Sequence, residues 1–261
     1  MTRQNYYKQR RQRERRQVDD ELIVQLVCRE RALQPRLGGR KLLHLLRGDL
    51  IKADVKIGRD RFFQVLGDHD LLIERAIRSV RTTDSRHSFG VYENLLKDRE
   101  LTGPHEALVS DITYLRTEEG FLYLCLVTDA YSRAIVGFDC SDTLEQEGAL
   151  RALGQALKQL PAGGGTIHHS DRGSQYCCQE YVSRLRAAGV SISMTQENHC
   201  YENAQAERLN GILKQEYGLG GSFGCKADAR RAVGEAVSLY NSRRPHQSLG
   251  YATPLEVHCA A

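Results

Sequence analysis

Three acidic side chains, Asp111, Asp171 and Glu207, have the type and setting needed for metal-dependent chemistry. Asp111 lies in the β-rich run 109–115, Asp171 opens a turn after the run 165–169, and Glu207 lies in a predicted helix after a gap of 35 residues. Carboxylates without thiolate partners favour hard ions such as Mg²⁺. Two such ions about 4 Å apart can activate an attacking oxygen and stabilise a leaving oxygen in phosphodiester chemistry. We therefore predict that the three acids are catalytic ligands of two Mg²⁺ ions, for which Mn²⁺ can substitute.

Three nearby polar residues are alternative candidates. Asp129 follows the second predicted strand, and an Asp at the start of a turn caps backbone N–H groups without any catalytic role, so we favour the structural interpretation. His168 and His169 precede Asp171, but no thiolate stands at zinc-site spacing and Mg²⁺ disfavours imidazole. We expect His169 to line the cleft or to orient Asp171.

Composition limits the class of protein. The 261 residues carry a net charge of +4, divided into +8 over residues 1–100 and −4 over residues 101–261. A basic front half is typical of a protein that binds phosphate backbones, and an acidic second half suits a metal-dependent core. The chain has no apolar run of transmembrane length and no signal-peptide pattern. The eight cysteines include no C-x-x-C pair, which predicts reduced thiols and a cytosolic location.

The front half divides into a tail and a helical module. Residues 1–18 are predicted to form a basic tail or helix end, with seven Lys/Arg among the first sixteen residues. This segment either contacts DNA phosphates or is an ordinary solvated face. Residues 19–75 contain three helical patterns, the last of them basic. They predict an all-α helix-turn-helix domain whose last helix enters the major groove, although such modules also dock proteins. The candidate DNA contacts are Arg40, Lys41, Arg59 and Arg61.

The second half changes to short β runs. Residues 76–106 are predicted to form a linker and a short lead-in helix, which separates the two functional parts. Residues 107–261 then follow the order β-β-β-α-β-α-β-α-α. Strands are predicted at 109–115, 121–128, 134–138, 166–169 and 190–194, with helices at 144–160, 175–188, 201–217 and 227–241. This order matches an α/β, ribonuclease-H-like core in which the first strand is central.

The helix that carries Glu207 has a polar face. Asn203, Asn210, Gly211 and Lys214 lie at −4, +3, +4 and +7 from Glu207, on the same side. We predict phosphate contact for Lys214 and DNA contact for Asn203. The alternative for Lys214 is an ordinary solvated lysine.

Four motifs in the expected order carry a family resemblance. They are Ser110-Asp-Ile-Thr-Tyr114, His169-Ser-Asp-Arg-Gly-Ser-Gln-Tyr176, Asn203-Ala-x-x-Glu207 with Leu213-Lys-x-Glu216, and Tyr240-Asn-x-x-Arg-Pro-His246 with Leu249-Gly-Tyr251 and Thr253-Pro254. Together they cover nearly the whole chain. The sequence resembles the second-frame transposases of the insertion-sequence-three family, within the retroviral-integrase-like DDE superfamily.

This resemblance implies an integrase-like catalytic core and DNA cleavage followed by strand transfer. It implies terminal repeats and target DNA as partners, a homo-oligomer on DNA, an upstream-frame protein or frameshift fusion, and a nucleoid-associated location in the bacterial cytoplasm. It also suggests that the basic turn with Arg244 and His246 packs near the site or holds DNA, although this turn could instead neutralise a helix terminus. Two alternative functions remain: a non-catalytic DNA-binding repressor and a ribonuclease-H-like nuclease without strand transfer.

Overall fold

The computed structural model describes residues 3–74, 92–161, 163–195 and 204–260. The chain divides into two compact units, Met1–Ile77 and Arg78–Ala261. Helices make up the described part of the first unit, and a mixed sheet with helices makes up the second. The predicted fold class, an α/β core preceded by an all-α region, is therefore confirmed. Within these described ranges no helix combines the length and the apolar character that a membrane span requires.

The first unit contains helices α1 (Arg3–Leu33), α2 (Gly39–Lys52) and α3 (Arg59–Asp68). Their apolar stripes pack into one core because each helix repeats apolar residues on a single face. The core includes Ile23, Val27, Leu37, Leu42, Leu46, Leu50, Phe62, Val65 and Leu66. α1 extends through the basic tail, where the described side chains from residue 3 to residue 18 are exposed.

The sheet of the second unit has the order β3-β2-β1-β4-β5. Strands β1 (Ala107–Thr117), β2 (Gly120–Asp129) and β3 (Ile135–Ser141) form an antiparallel meander, and β4 (Ile167–Ser170) and β5 (Ser191–Met194) continue the sheet in parallel. The first strand is thus central, as predicted. A two-residue strand, β6 (Ser222–Phe223), pairs with the end of β1. It is too short to show an alternating pattern, and the sequence did not predict it.

Helices cover both faces of this sheet. They are α4 (Gln146–Leu157), α5 (Ser174–Cys177), α6 (Gln179–Ala187), α7 (Ala204–Glu216), α8 (Lys226–Ser242) and α9 (Pro254–Cys259). Side chains of a strand point alternately to its two faces. Leu122, Leu124 and Leu126 therefore pack with α7 and α8, whereas Cys125 and Val127 pack with α4 and α6.

The helices of the second unit differ from the sequence-based prediction at two places. The predicted helix 175–188 is divided at Cys178, whose backbone is extended (φ −66°, ψ 150°). The helix α9 was not predicted, although its signals are present in the sequence. The Thr253 hydroxyl accepts a hydrogen bond from the Glu256 N–H (3.3 Å), and the Glu256 carboxylate accepts one from the Thr253 N–H (2.7 Å). This reciprocal capping box, followed by Pro254, starts a helix.

The segment between the two predicted domains is only partly described. Residues 92–106 form turns and extended chain, so the lead-in helix does not occur in that part. The remainder of the predicted linker, up to residue 91, lies outside the described residues.

Close packing of β3 against α4 depends on a glycine. A Cβ added at Gly137 would lie 2.1 Å from the Ala152 carbonyl oxygen. Gly137→Ala must therefore push the helix from the sheet, and we expect a loss of about 3 kcal/mol in the free energy of unfolding. Gly154→Ala, in α4 itself, is the matched control because a Cβ there meets nothing within 4 Å. It should stabilise the protein by up to about 1 kcal/mol through helix propensity.

Urea denaturation of both variants measures these changes. Equal stability of Gly137→Ala and the wild type would contradict the close approach.

Candidate metal centre

Two of the three predicted ligands meet because β1 and β4 run parallel. Ser110 pairs with Ser170 across the two strands, and Asp111 and Asp171 each follow the paired serine. Neighbouring strands lie about 4.8 Å apart, so the two aspartates emerge side by side. In the described sheet β4 ends at Ser170, and β6 joins β1 only from Arg116. The edge of β1 beside Asp111 is therefore not covered by a strand.

Hydrogen bonds from the strand and from α7 fix the Asp111 carboxylate. Its Oδ1 accepts from the Ile112 N–H (2.9 Å), and its Oδ2 accepts from Asn210 Nδ2 (2.7 Å). Asn210 is buried, and its Oδ1 accepts no hydrogen bond within the described residues. Asp171 Oδ1 accepts from the Gly173 N–H (3.0 Å). Hydrogen bonds thus hold both aspartates in place.

The electrostatics of this pair favour a bound cation. Burial, together with the nearby charges of Asp171 and Glu207, raises the pKa of Asp111 to about 7, although the hydrogen bonds from Ile112 and Asn210 lower it. Two adjacent carboxylates cannot both ionise without cost unless positive charge offsets their repulsion. A donor set of carboxylate and amide oxygens is the set that Mg²⁺ accepts. The residues therefore fit a divalent metal ion.

Glu207 lies at the margin of this pair. It is exposed in the first turn of α7, three residues before Asn210. The negative charge of Glu207 contributes to the raised pKa of Asp111. Among the residues that the structure describes, no group of three or more His, Cys, Asp or Glu side chains is arranged to hold a metal ion. The structure therefore brings two of the carboxylates together and leaves the third at the edge.

Lys214 lies on α7 near the aspartates. The side chain is half-buried, and its burial lowers its pKa whereas the charge of Asp111 raises it. Lys214 is therefore not a freely solvated lysine. Asn203, the other residue predicted on this helix face, lies outside the described residues.

The basic residues of the first unit differ in their solvent exposure. On α2, Arg40 is exposed and Lys41 is half-buried. His44 and Arg47 are also exposed and lie one and two turns beyond Arg40. This spacing gives α2 an open basic face.

Helix α3, which the sequence predicts to enter the major groove, has basic residues with acidic partners. Arg59 is exposed and lies 2.9 Å from the carboxylate of its neighbour Asp60. Arg61 binds Asp20 of α1. That ion pair ties two helices of the same core together, which gives Arg61 a structural role.

Arg244 and His246, which the sequence predicts to contact DNA, are both buried, with 2% and 7% exposure. The Arg244 guanidinium forms a bidentate ion pair with Glu216 of α7 (2.8 Å for each bond), and its Nη1 lies 2.8 Å from His246 Nε2. It also lies 5.8 Å from the centroid of the Tyr240 ring. The chain after α8 folds back onto α7, so the basic turn becomes an internal link.

Asp129 has the structural role that the sequence favours. It is fully buried. Its Oδ1 accepts from the Ser132 N–H (2.7 Å), and its Oδ2 accepts from the His105 N–H (2.6 Å). These bonds cap the turn between β2 and β3 and attach the chain before β1.

Both histidines of β4 are buried within the sheet layer. His168 Nε2 lies 2.8 Å from Ser110 Oγ and 2.9 Å from the Tyr181 hydroxyl. Burial lowers the pKa of His168 to about 3, so this ring is neutral at physiological pH. His169 Nδ1 lies 2.8 Å from Ser193 Oγ of β5. The structure therefore does not place His169 on an open cleft.

Two residues of the centre received no role from the sequence. Asn210 lies on the predicted face of the Glu207 helix, but only the fold shows that this face meets Asp111. Gly173 gives the Asp171 carboxylate room, since a Cβ there would lie 3.0 Å from Asp171 Oδ1. Helical spacing was the available signal for Asn210.

Comparison with known proteins identifies first the fold of the second unit and then the family of the chain. Two family models, both described as integrase core domain, match residues 102–200 and 188–254. A chain in the cryoEM structure of a simian T-cell lymphotropic virus intasome in complex with PP2A regulatory subunit B56 gamma has a TM-score of 0.53 and 16% identity, over 90% of this chain and 75% of that chain. The second unit thus has the fold of an integrase core.

Curated relatives extend over most of the sequence. The chain is 31% identical to the insertion element IS600 uncharacterized 31 kDa protein of Shigella sonnei, over 97% of this chain and 93% of that protein. It is 35% identical to the Shigella sonnei transposase for insertion sequence element IS629, over 81% and 71%. It is 37% identical to the Escherichia coli transposase InsF for insertion sequence IS3A, over 64% and 59%. The chain therefore belongs to the insertion-sequence-three (IS3) family of DDE transposases.

The structural role of Arg244 can be tested by stability. Arg244→Gln should lower the free energy of unfolding by about 3 kcal/mol, because it leaves the largely buried Glu216 carboxylate without its cation. Arg40→Gln, at an exposed position, should change stability by no more than about 0.5 kcal/mol. Urea denaturation measures both. A stable Arg244→Gln variant with weakened DNA affinity would restore the original prediction.

Proposed function

We propose that this chain catalyses metal-dependent cleavage and strand transfer of the DNA of an insertion sequence. Membership of the IS3 family establishes a transposase function, and the candidate centre supports the chemical assignment. The parallel register that joins Ser110 to Ser170 carries the proposal, because it sets two aspartates side by side. Asn210 then connects this pair to the helix that bears Glu207.

Asp111, Asp171 and Glu207 are the proposed ligands of two Mg²⁺ ions, for which Mn²⁺ can substitute. Such ions supply Lewis acidity and offset negative charge in phosphodiester chemistry. Residues three apart on a helix share a face, so Glu207 lies on the side of α7 from which Asn210 reaches Asp111. Glu207 would supply the third carboxylate to the bound ions from this side of α7. Asn210 keeps the Asp111 carboxylate in one orientation throughout.

The reaction has two steps. In cleavage, water attacks a phosphodiester at the element end, and the 3′ oxygen of the DNA leaves as a hydroxyl. In strand transfer, that 3′-hydroxyl attacks a second phosphodiester, so one bond between phosphorus and oxygen forms as another breaks. The half-buried ammonium of Lys214 holds a phosphate near the reacting bond.

The proposed division of labour assigns DNA recognition to the front of the chain. Residues 19–75 form the helix-turn-helix DNA-binding domain, residues 76–106 the linker and residues 107–261 the catalytic core. The open basic face of α2, with Arg40, supports phosphate contact by this domain. The proposed partners are the terminal repeats and the target DNA, bound by a homo-oligomer at the nucleoid, with an upstream-frame protein or a frameshift fusion contributing to recognition.

The ligand assignment is tested by neutral isosteres. Asp111→Asn, Asp171→Asn and Glu207→Gln should each abolish cleavage and joining of labelled element-end DNA in Mg²⁺ while leaving DNA affinity intact. Asp111→Asn should not lose stability, because it removes a carboxylate that burial and Asp171 disfavour. Asp142→Asn, on an exposed ion pair with Arg230, is the matched control and should remain active.

Mapping the DNA products separates the competing functions. Wild-type turnover in Mg²⁺ by any of the three variants would remove that residue from the site. Cleavage by the wild type without joined products would favour a nuclease, and specific binding without either product would favour a repressor.

Lys214 is tested by its effect on joining relative to stability. Lys214→Ala should slow strand transfer, and Lys214→Arg should recover part of the rate, because a positive charge near the phosphate is retained. The loss of strand transfer should exceed the loss of stability when both are expressed as free energies. Lys158→Ala, at an exposed lysine that follows α4, controls for loss of charge. Unaltered strand transfer by Lys214→Ala would leave Lys214 without a role in the reaction.

A further inference from the structure

Tyr176 carries a buried hydroxyl that the fold does not explain. Its side chain is only 3% exposed, and the hydroxyl makes no hydrogen bond within the described residues. A buried hydroxyl without a partner is costly, since it has lost its bonds to water. Such groups are uncommon in native proteins and indicate an additional role or partner.

The ring is held firmly in place. It packs edge-on against Tyr181, with centroids 5.4 Å apart, and lies 6.3 Å from the His168 ring. The Tyr176 N–H donates to the Gly173 carbonyl (3.0 Å) in the first turn of α5. This packing would be retained by phenylalanine, so the ring alone does not account for the hydroxyl.

The position of the ring relates the hydroxyl to the candidate metal centre. A Cβ at Gly173 would lie 3.0 Å from Asp171 Oδ1 and 3.5 Å from Tyr176 Cδ2. The ring edge and the carboxylate therefore border the same space beside Gly173. Burial raises the pKa of Tyr176 well above its ordinary value, and the charges of Asp111, Tyr181 and Asp171 raise it further. The phenol therefore keeps its proton, and the charges of both aspartates act on it.

We infer that Tyr176 is a positioning residue whose hydroxyl donates a hydrogen bond to the Asp111–Asp171 pair and holds the two carboxylates in the geometry that binds a divalent cation. This inference rests on the proposed metal-dependent function. Carboxylates that bind a metal are commonly hydrogen-bonded by residues behind them, and loss of such a partner weakens metal affinity. Because the hydroxyl has no hydrogen-bond partner within the described residues, its contribution should appear when metal is bound.

Tyr181 provides a matched control. It is also fully buried, but its hydroxyl lies 2.9 Å from His168 Nε2 and so already has a partner in the fold. Removing each hydroxyl should therefore have opposite consequences. Tyr181→Phe should lower the melting temperature without metal and leave the response to metal unchanged. Tyr176→Phe should keep or raise the metal-free melting temperature and weaken the response to metal.

The experiment measures thermal unfolding of the full chain across a MgCl₂ titration, and again with MnCl₂. For Tyr176→Phe, the metal concentration that gives half of the stabilisation should rise about 10- to 100-fold. The rate of element-end cleavage should recover at high Mg²⁺, which a purely structural defect would not show.

Three results overturn the inference. A titration of Tyr176→Phe that matches the wild type would remove the hydroxyl from the centre while leaving the proposed function intact. A strongly lowered metal-free melting temperature would assign the hydroxyl to the fold. Absence of any metal response in the wild type would reject the proposed metal centre, and the inference with it.

Discussion

Two aspartates stand side by side in this protein because two parallel strands fix them there. Their position follows from the alignment of Ser110 with Ser170, and a shift of register by one residue would turn one carboxylate to the other face. The arrangement is electrostatically unfavourable on its own, since protein surrounds Asp111 and Asp171 repels its charge. The rest of the core accommodates this conflict. The meander makes β1 central, α7 supplies an amide to Asp111, and Gly173 leaves room for the other carboxylate.

Polar groups in this core fall into two kinds. Most are satisfied within the fold, such as the Asp129 turn cap, the contacts of His168 with Ser110 and Tyr181, and the ion pair between Arg244 and Glu216. Other buried polar atoms make no hydrogen bond within the described residues, notably Asn210 Oδ1 and the Tyr176 hydroxyl. Asn210 contacts Asp111 directly, and the Tyr176 ring borders the space beside Gly173 and Asp171. At these two places the unsatisfied atoms indicate where an additional partner binds.

The sequence predicted the elements well where local pattern decides them. Strand alternation and turns predicted the meander. The match to the ribonuclease-H-like fold predicted that the first strand is central and that the fourth strand lies beside it. The sequence-based prediction failed where contacts between residues far apart in the sequence determine the structure. Nothing near Arg244 shows that Glu216, 28 residues earlier, pairs with it, since this contact requires the chain to fold back. The break at Cys178 depends on how α5 packs, and the bond from Asn210 to Asp111 spans 99 residues.

The central claim, that Asp111 and Asp171 form a divalent metal site completed by Glu207, is tested most directly by anomalous diffraction from crystals grown with Mn²⁺ and element-end DNA. We expect an anomalous peak within about 2.5 Å of carboxylate oxygens from both aspartates, with the Glu207 side chain turned towards it. A fully occupied Mn²⁺ site elsewhere, with no peak between Asp111 and Asp171, would contradict the account.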